Sequence, residues 1–374
     1  VATTNTVDVV VVGAGIVGLA TARALQRRHP RLAVAVLEKE PVVGMHQTGH
    51  SSGVLHSGLY YAPGSLKARL CVAGAAAMRA YCAEHGIPVL ACGKLVVATE
   101  AAELPRLEEL HRRGVANGVA GIEVLGPEEI RGREPHVAGV RALWVPGTAV
   151  VDFGAVAAAL AADVAAAGGA VRTGVAVHGL ARGPRGVRLE TRTGPVDARH
   201  VVACAGLQAD RLAALAGAAL EPRIVPFRGD YYVLRPERRH LVRGLVYPVP
   251  DPSFPFLGVH TTLRPDGEIW LGPNALLASG REAYARLDVR PRDLVETLRY
   301  RGFRHLARRY WRTGAVEMAR GYNRRLFVAA ARRLLPELRP GDVVRGPSGI
   351  RAQALAADGT LLDDFAFDED ARML

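Results

Sequence analysis

Residues 7–38 read VDVVVVGAGIVGLATARALQRRHPRLAVAVLE, and this stretch decides the fold. Residues 7–12 are apolar and β-branched, as in a strand buried on both faces. Gly13, Gly15 and Gly18 follow at the GxGxxG spacing. A helical segment, 19–27, leads to a second apolar strand, 34–37, that ends in Glu38. Gly13 allows the tight turn, Gly15 lets the backbone approach a pyrophosphate, and Gly18 lets the helix pack on the strand. The helix N-terminus then offers free N–H groups and a positive dipole end to phosphate. Glu38, twenty residues past Gly18, is placed to accept a hydrogen bond from a ribose 2′-OH. The spacing predicts a dinucleotide-binding βαβ unit.

The bounds fit an enzyme-sized globular chain. Its 374 residues predict about two domains. Apolar content of 49% with 22% charged residues excludes a disordered chain. No run has the ~18 apolar residues of a membrane span, and the first residues lack the basic and apolar parts of a signal peptide. Cys71, Cys82, Cys92 and Cys204 form no CxxC, so neither a metal site nor a disulfide framework is expected and a reducing cytoplasm fits. The first residue is not Met, as expected of a chain trimmed at its start. The net charge of +12 rests on arginine, because lysine occurs only at 39, 67 and 94. Such a bias arises from genome composition alone or from an anionic partner; no nucleic-acid motif is present.

Residues 44–61, GMHQTGHSSGVLHSGLYY, hold three histidines (His46, His50, His56), several glycines and several hydroxyls. The histidines lack HxH spacing, and only His46 and His50 stand four apart with no third ligand at a metal-site spacing, so zinc is not expected. A surface loop and a segment passing under a cofactor compete here. The direct exit from the ribose-binding strand favours the second, with Ser51 and Ser52 donating to phosphate or flavin atoms.

Further on, residues 65–85 predict a helix with Ser65 as N-cap and Gly86 as stop. The block 87–147 breaks the βαβ rhythm. Residues 200–205, HVVACA, return to a buried strand and end at Gly206. Residues 222–277 alternate like an antiparallel sheet, in the pieces PFRGDYYVL, GLVYPVP, FLGVHTTL and EIWLGPNA. Residues 292–311 predict one helix with Tyr300, Phe303, Ala307 and Tyr310 as its apolar stripe. Its arginines are solvated or meet a membrane surface. Residues 344–352 and 361–367 read as closing strands. The fold class is therefore α/β (α+β). A discontinuous Rossmann-like nucleotide domain (1–86, 148–220 and 330–374) carries a mainly antiparallel substrate domain (87–147 and 221–329).

These residues carry a resemblance. VVVVGAGIVGLATARAL, LEKE and HQTGHSSGVLHSGLYYAPGSLKARLC resemble FAD-dependent oxidoreductases of the D-amino-acid-oxidase type. GHSSGVLHSGLYYAPGSLKA, PFRGDYYVL, VYPVPDPSFPFLGVHTT, LGPNA and PSGIRAQAL look like the L-2-hydroxyglutarate oxidase/dehydrogenase family and span almost the whole chain. The resemblance implies non-covalent FAD and oxidation of L-2-hydroxyglutarate to 2-oxoglutarate, with electrons leaving to oxygen or a membrane quinone. The cysteine usage and the arginine-rich helix give the expectation of a cytoplasmic enzyme, peripheral on the inner membrane. Relatives of this kind continue into a segment resembling NAPSPAATAS and a helix that helps hold the flavin; this sequence ends at Leu374, before one.

The expected cofactor set is Gly13, Gly15, Gly18, Glu38, Lys39, His50, Ser51, Ser52, Gly53 and Gly206. Removing a hydride from a 2-hydroxy acid also needs a base for the hydroxyl proton, and histidine suits that task. His260 is the first candidate and His56 the second, each against a purely structural role. A dicarboxylate needs cationic or donating partners. Arg351 and Arg228 are expected to supply them, helped by Lys67, Tyr60, Tyr232 and Gln353. Three other readings remain open at this point. One is a sibling flavoenzyme acting on a secondary amine or glycerol 3-phosphate. Another is an NAD-dependent dehydrogenase, and the last a flavin-free basic binding module.

Overall fold

The valines of residues 9–12 alternate in what they face, and this alternation builds the first layer. Val9 and Val11 pack with Leu19, Ala22, Val156 and Leu160 on one side of the strand. Val10 and Val12 pack with Leu37, Leu189, Val201 and Leu212 on the other. A strand covered on both faces must be apolar throughout. In the computed structural model, which describes residues 6–218, 221–251 and 257–374, Thr6–Val12 lies inside a six-stranded sheet. It runs parallel to Val34–Leu37 on one side and to Val196–Ala203 on the other, and Ala170–Arg172 extends the parallel part. The hairpin Val177–Gly183 and Gly186–Thr191 closes the far edge antiparallel. The helices Ile16–Arg28 and Phe153–Ala166 cover one face.

The second layer is a nine-stranded sheet. Its order is Leu276–Leu277, Arg223–Leu234, Ile269–Gly272, His260–Leu263, Leu245–Pro248, Lys94–Ala98, Arg141–Val145 and Glu123–Leu125, with Val343–Leu355 also paired to Arg223–Leu234. Only Leu245–Pro248 against Lys94–Ala98 is parallel among these pairs. A three-stranded sheet, Val54–Leu55, Ala149–Val151 and Val89–Leu90, lies between the main sheets in the chain path.

Several expectations shift. Residues 343–355, expected with the nucleotide sheet, extend the second sheet, pairing Arg223 with Leu355 through to Leu234 with Val343. Met373 nevertheless bridges to Val201, so segment 330–374 serves both sheets. Val89–Leu90, expected in the second domain, joins the small sheet. Residues 361–367 form no strand beyond an isolated bridge from Leu361 to Leu355. The single helix expected at 292–311 is two, Pro291–Arg299 and Arg301–Tyr322. Tyr300 is extended between them (ψ 124°), and its hydroxyl donates to the Leu355 carbonyl at 2.8 Å. A side chain at Gly302 would lie 2.2 Å from the Ala356 carbonyl oxygen, so the second helix has to begin hard against that strand's end. Tyr300, Phe303 and Tyr310 do pack inward, around Leu306, Phe227 and Leu355. Ser65 caps the Leu66–Glu84 helix by accepting from the Ala68 N–H at 3.2 Å. The expected strand piece FLGVHTTL begins at Phe256, outside the described residues; its described part is His260–Leu263. No described helix is long and apolar enough to cross a membrane.

Candidate active site

The glycine turn is as close-packed as its spacing requires. Gly13 has φ +107°, and a Cβ there would lie 2.4 Å from the Cys204 carbonyl oxygen. A Cβ on Gly18 would lie 1.9 Å from the Gly13 carbonyl oxygen. Gly15 is different, since its Cβ would meet only the Thr48 hydroxyl at 3.4 Å. Two glycines thus seat the helix, and the third leaves room for a ligand to approach. Glu38 is buried. One carboxylate oxygen accepts from the Ala14 N–H at 2.8 Å and the other from the Glu40 N–H at 2.9 Å. A carboxylate has about four lone-pair sites, so Glu38 holds the turn and keeps capacity for a ribose hydroxyl.

Gly13, Gly15, Glu38, Lys39, Ser51 and Gly206 all line one cavity of about 720 Å³. Thr48 lines it too and was missed from sequence; its hydroxyl accepts from the Ile16 N–H at 3.1 Å. Lys39 donates to Glu40, to Glu282 at 3.0 Å and to His46 at 2.8 Å. Glu40, His46 and Glu282 converge closely enough to hold a metal ion, but the Lys39 ammonium already takes their acceptor atoms. His50 stacks on Tyr284 at 3.8 Å, and its Nδ1–H donates to the Ser348 carbonyl at 2.8 Å, tying the loop to Val343–Leu355. Gly53 (φ +78°) has its space bounded by Arg264 and the Val151 carbonyl, with Ser52 just before it. The Gly-rich loop therefore runs from the nucleotide cavity to the second sheet.

There it delivers His56 and Tyr60 to a buried cluster. Lys94 is 0% exposed, and its ammonium lies 4.4 Å from the Tyr60 ring and 5.3 Å from the Tyr247 ring. The His260 ring packs tilted against Tyr247 at 4.0 Å. Its Nδ1–H donates to the Gly258 carbonyl at 2.8 Å, which leaves Nε2 as the ring's acceptor. Burial first, then the nearby positive charge of Arg351 and Lys94, pushes the His260 pKa down to about 3 despite that carbonyl. His56 is pushed down to about 3 by burial, with Lys94 and His260 adding to it. Burial likewise pulls Lys94 down to about 7. Lys94 Nζ, His56 Nδ1, Ser57 Oγ and Tyr60 Oη are shielded from solvent and make no hydrogen bond among the described residues. Buried polar groups are seldom left so. A cluster of them, reached by the same loop that lines the cavity at Ser51, is the mark of a polar ligand's seat.

The substrate candidates divide by strand parity. Phe227 pairs with Arg351 and Arg228 with Ile350, so Arg351 and Arg228 face opposite sides. Tyr231 lies on the Arg351 side, and the two interact electrostatically. Tyr232 lies on the other side, packed on Phe327 at 4.6 Å in the core. Arg228 and Tyr232, expected with Arg351 to meet the substrate, therefore do not share its face. Arg228 is committed to Asp230 at 2.8 Å and the Ala285 carbonyl at 3.0 Å, and Arg286 meets the same Asp230 at 3.0 Å. Gln353 shares Arg351's face, two residues on. Lys67 sits instead at the start of its helix, its N–H on Asp364 and its ammonium 5.7 Å from the Phe365 ring. Sequence reasoning missed Lys94, Tyr231 and Tyr247. The available signal was one of three lysines placed inside an otherwise apolar strand.

Comparison with known proteins gives the family. The model of the FAD dependent oxidoreductase family matches residues 8–371. "L-2-hydroxyglutarate dehydrogenase, mitochondrial" of Nematostella vectensis is 49% identical, covering 96% of this chain and 82% of its own length. The protein of that name from Homo sapiens is 46% identical over 98% of this chain and 82% of its own. "L-2-hydroxyglutarate dehydrogenase" of Indibacter alkaliphilus is 43% identical over 97% and 91%. Among solved structures, the FAD-bound L-alpha-glycerophosphate oxidase of Mycoplasma pneumoniae superposes with a TM-score of 0.74 at 23% identity, covering 93% of this chain and 84% of that one. Glycine oxidase of Geobacillus kaustophilus follows at 0.68 and 22%, covering 93% and 83%. These two show the shared fold. The glycine cradle, the buried Glu38 and the cavity between them fit an FAD adenosine and pyrophosphate, and the chain belongs to the FAD-dependent oxidoreductases.

Proposed function

We propose that this chain oxidises L-2-hydroxyglutarate to 2-oxoglutarate. The observation that carries the reading is 43–49% identity, over nearly the full chain, to relatives bearing that activity in their names. Bound FAD supplies the acceptor for the hydride of the carbinol carbon. The chain's residues do the rest. Gly13, Gly15, Gly18, Glu38, Lys39, His50, Ser51, Ser52, Gly53 and Gly206 hold the cofactor. His260 accepts the hydroxyl proton at Nε2, the nitrogen its Gly258 hydrogen bond leaves available. His56 backs it from the loop. Arg351, with Tyr60 and Gln353, receives a carboxylate, a planar guanidinium being matched to that shape.

Electrons pass on to oxygen or to a membrane quinone. The second acceptor fits a cytoplasmic protein resting on the inner membrane through the arginine-rich Arg301–Tyr322 helix, where Trp311 is 63% exposed. Co-sedimentation with anionic vesicles, lost when Arg308, Arg309 and Arg312 become Gln, tests that contact. The activity is tested by adding L-2-hydroxyglutarate anaerobically to the purified holoenzyme. Bleaching of the flavin by this acid, and not by glycine or glycerol 3-phosphate, supports the reading. Bleaching by an amine or glycerol 3-phosphate instead moves the chain to a sibling substrate.

A further inference from the structure

We propose that Lys94 anchors one carboxylate of the substrate, and that this pairing turns the adjacent His260 into a competent base. The inference rests on the dicarboxylate reading above and adds a residue and a coupling to it.

Lys94 opens the strand Lys94–Ala98, and every residue of that strand is buried. Strand alternation puts Leu95 and Val97 into one core, and Val96 and Ala98 into another that also holds Tyr247. Lys94 shares the second face and lies beside the Tyr60 and Tyr247 rings. The titratable groups around it are His56 and Tyr60 from the loop, Cys71 from Leu66–Glu84, and Tyr247 and His260 from the sheet, with Arg351 beyond His260. Among the described residues none of these is a carboxylate. Two aromatic faces stabilise an ammonium in part but leave its N–H donors unsatisfied. A buried cation without an anion is costly, and it is normally neutralised or paired. With its pKa near 7, Lys94 is half ammonium at neutral pH and gains its proton when an anion arrives.

The coupling follows from the same contacts. Lys94 and Arg351 both lower the proton affinity of His260, and Lys94 also lowers that of His56. A carboxylate seated on Lys94 cancels this field at the base. His260 then binds a proton more readily once substrate is in place, so the base gains strength only in the filled site.

The test uses the holoenzyme and glutarate, an unreactive dicarboxylate, followed by perturbation of the flavin spectrum. Glutarate affinity should fall by up to about tenfold per pH unit above about pH 7, as Lys94 loses its proton. Lys94→Met should weaken glutarate by about a hundredfold and flatten that profile with flavin content unchanged. Ethylammonium should partly restore binding to Lys94→Ala. A flat wild-type profile between pH 6 and 9 overturns the proposal, and so does wild-type affinity in Lys94→Met. The wild-type profile decides even if the variants fail to hold flavin. A maximal rate that rises with pH alongside pH-independent glutarate binding would instead make Lys94 the base and overturn the anchor. Failure of the substrate reading is separate: it shows as wild-type flavin that L-2-hydroxyglutarate does not reduce.

Discussion

The turn at residues 13–18 and the cluster around Lys94 and His260 prepare for ligands in opposite ways. At the turn, Glu38, Thr48 and the backbone satisfy one another, and what is kept for the cofactor is space. In the cluster, the Tyr60 and Tyr247 rings and the histidines surround Lys94, and what is kept is unspent hydrogen-bonding capacity. A pyrophosphate is met by backbone N–H groups that any sequence supplies, so close approach is the limiting quantity. A small dicarboxylate is met by side chains held ready in a region of low dielectric, where charge complementarity limits.

That contrast can be broken at several points. The largest effect belongs to the base. His260→Gln should slow flavin reduction in single turnovers by about 10²–10⁴-fold while the flavin stays bound. Stopped-flow reduction near the wild-type rate would remove His260 from that role. Parity along Arg223–Leu234 comes next. Arg228→Ala leaves Asp230 and Arg286 with a broken buried network and should cost about 3–5 kcal/mol in chemical denaturation, with little change in KM. Arg351→Ala should do the reverse, raising KM for the dicarboxylate well above its effect on a monocarboxylic 2-hydroxy acid. If both variants behave alike, the two faces are not functionally distinct.

Gly18→Ala tests the other region. Its methyl would overlap the Gly13 carbonyl, so the helix must back off, costing about 1–3 kcal/mol and much of the flavin occupancy. Retention of full flavin content would show that the turn has slack. A further effect is on pH, read as a slope. His56 and His260 bind protons near pH 3 in the folded protein against about 6.5 when unfolded. Between those values the unfolded chain binds more protons. The histidines' contribution to stability is therefore complete above about pH 6.5 and falls on acidification, by at most about 1.4 kcal/mol per pH unit for each histidine. Replacing one by Gln should halve this part of the slope measured between pH 4 and 6.

The expected sheets, the βαβ start and the Ser65 cap were legible because each depends on neighbours close in sequence. Residues 7–38 contain the strand, turn, helix and acidic residue of one unit, and their spacing alone sets the geometry. The substrate side was read less well, for specific reasons. Alternation in PFRGDYYVL is visible, but which face meets which depends on the partner strand, which puts Arg228 and Tyr232 opposite Arg351. Lys94 looks like any polar start to a strand until Tyr60 and Tyr247 close over it. Residues 343–355 read as a strand, yet nothing local says which sheet takes them.

By itself, then, the sequence determined the nucleotide fold, its cofactor class and a pool of histidines and cations. The tertiary structure decided which of them meet. His56, Lys94, Tyr247, His260 and Arg351 come from distant parts of the chain, and one buried cluster forms only because Leu245–Pro248 lies parallel to Lys94–Ala98 and antiparallel to His260–Leu263. Local spacing encodes a turn. A charge balance among remote side chains is encoded only in the packing that excludes water from them.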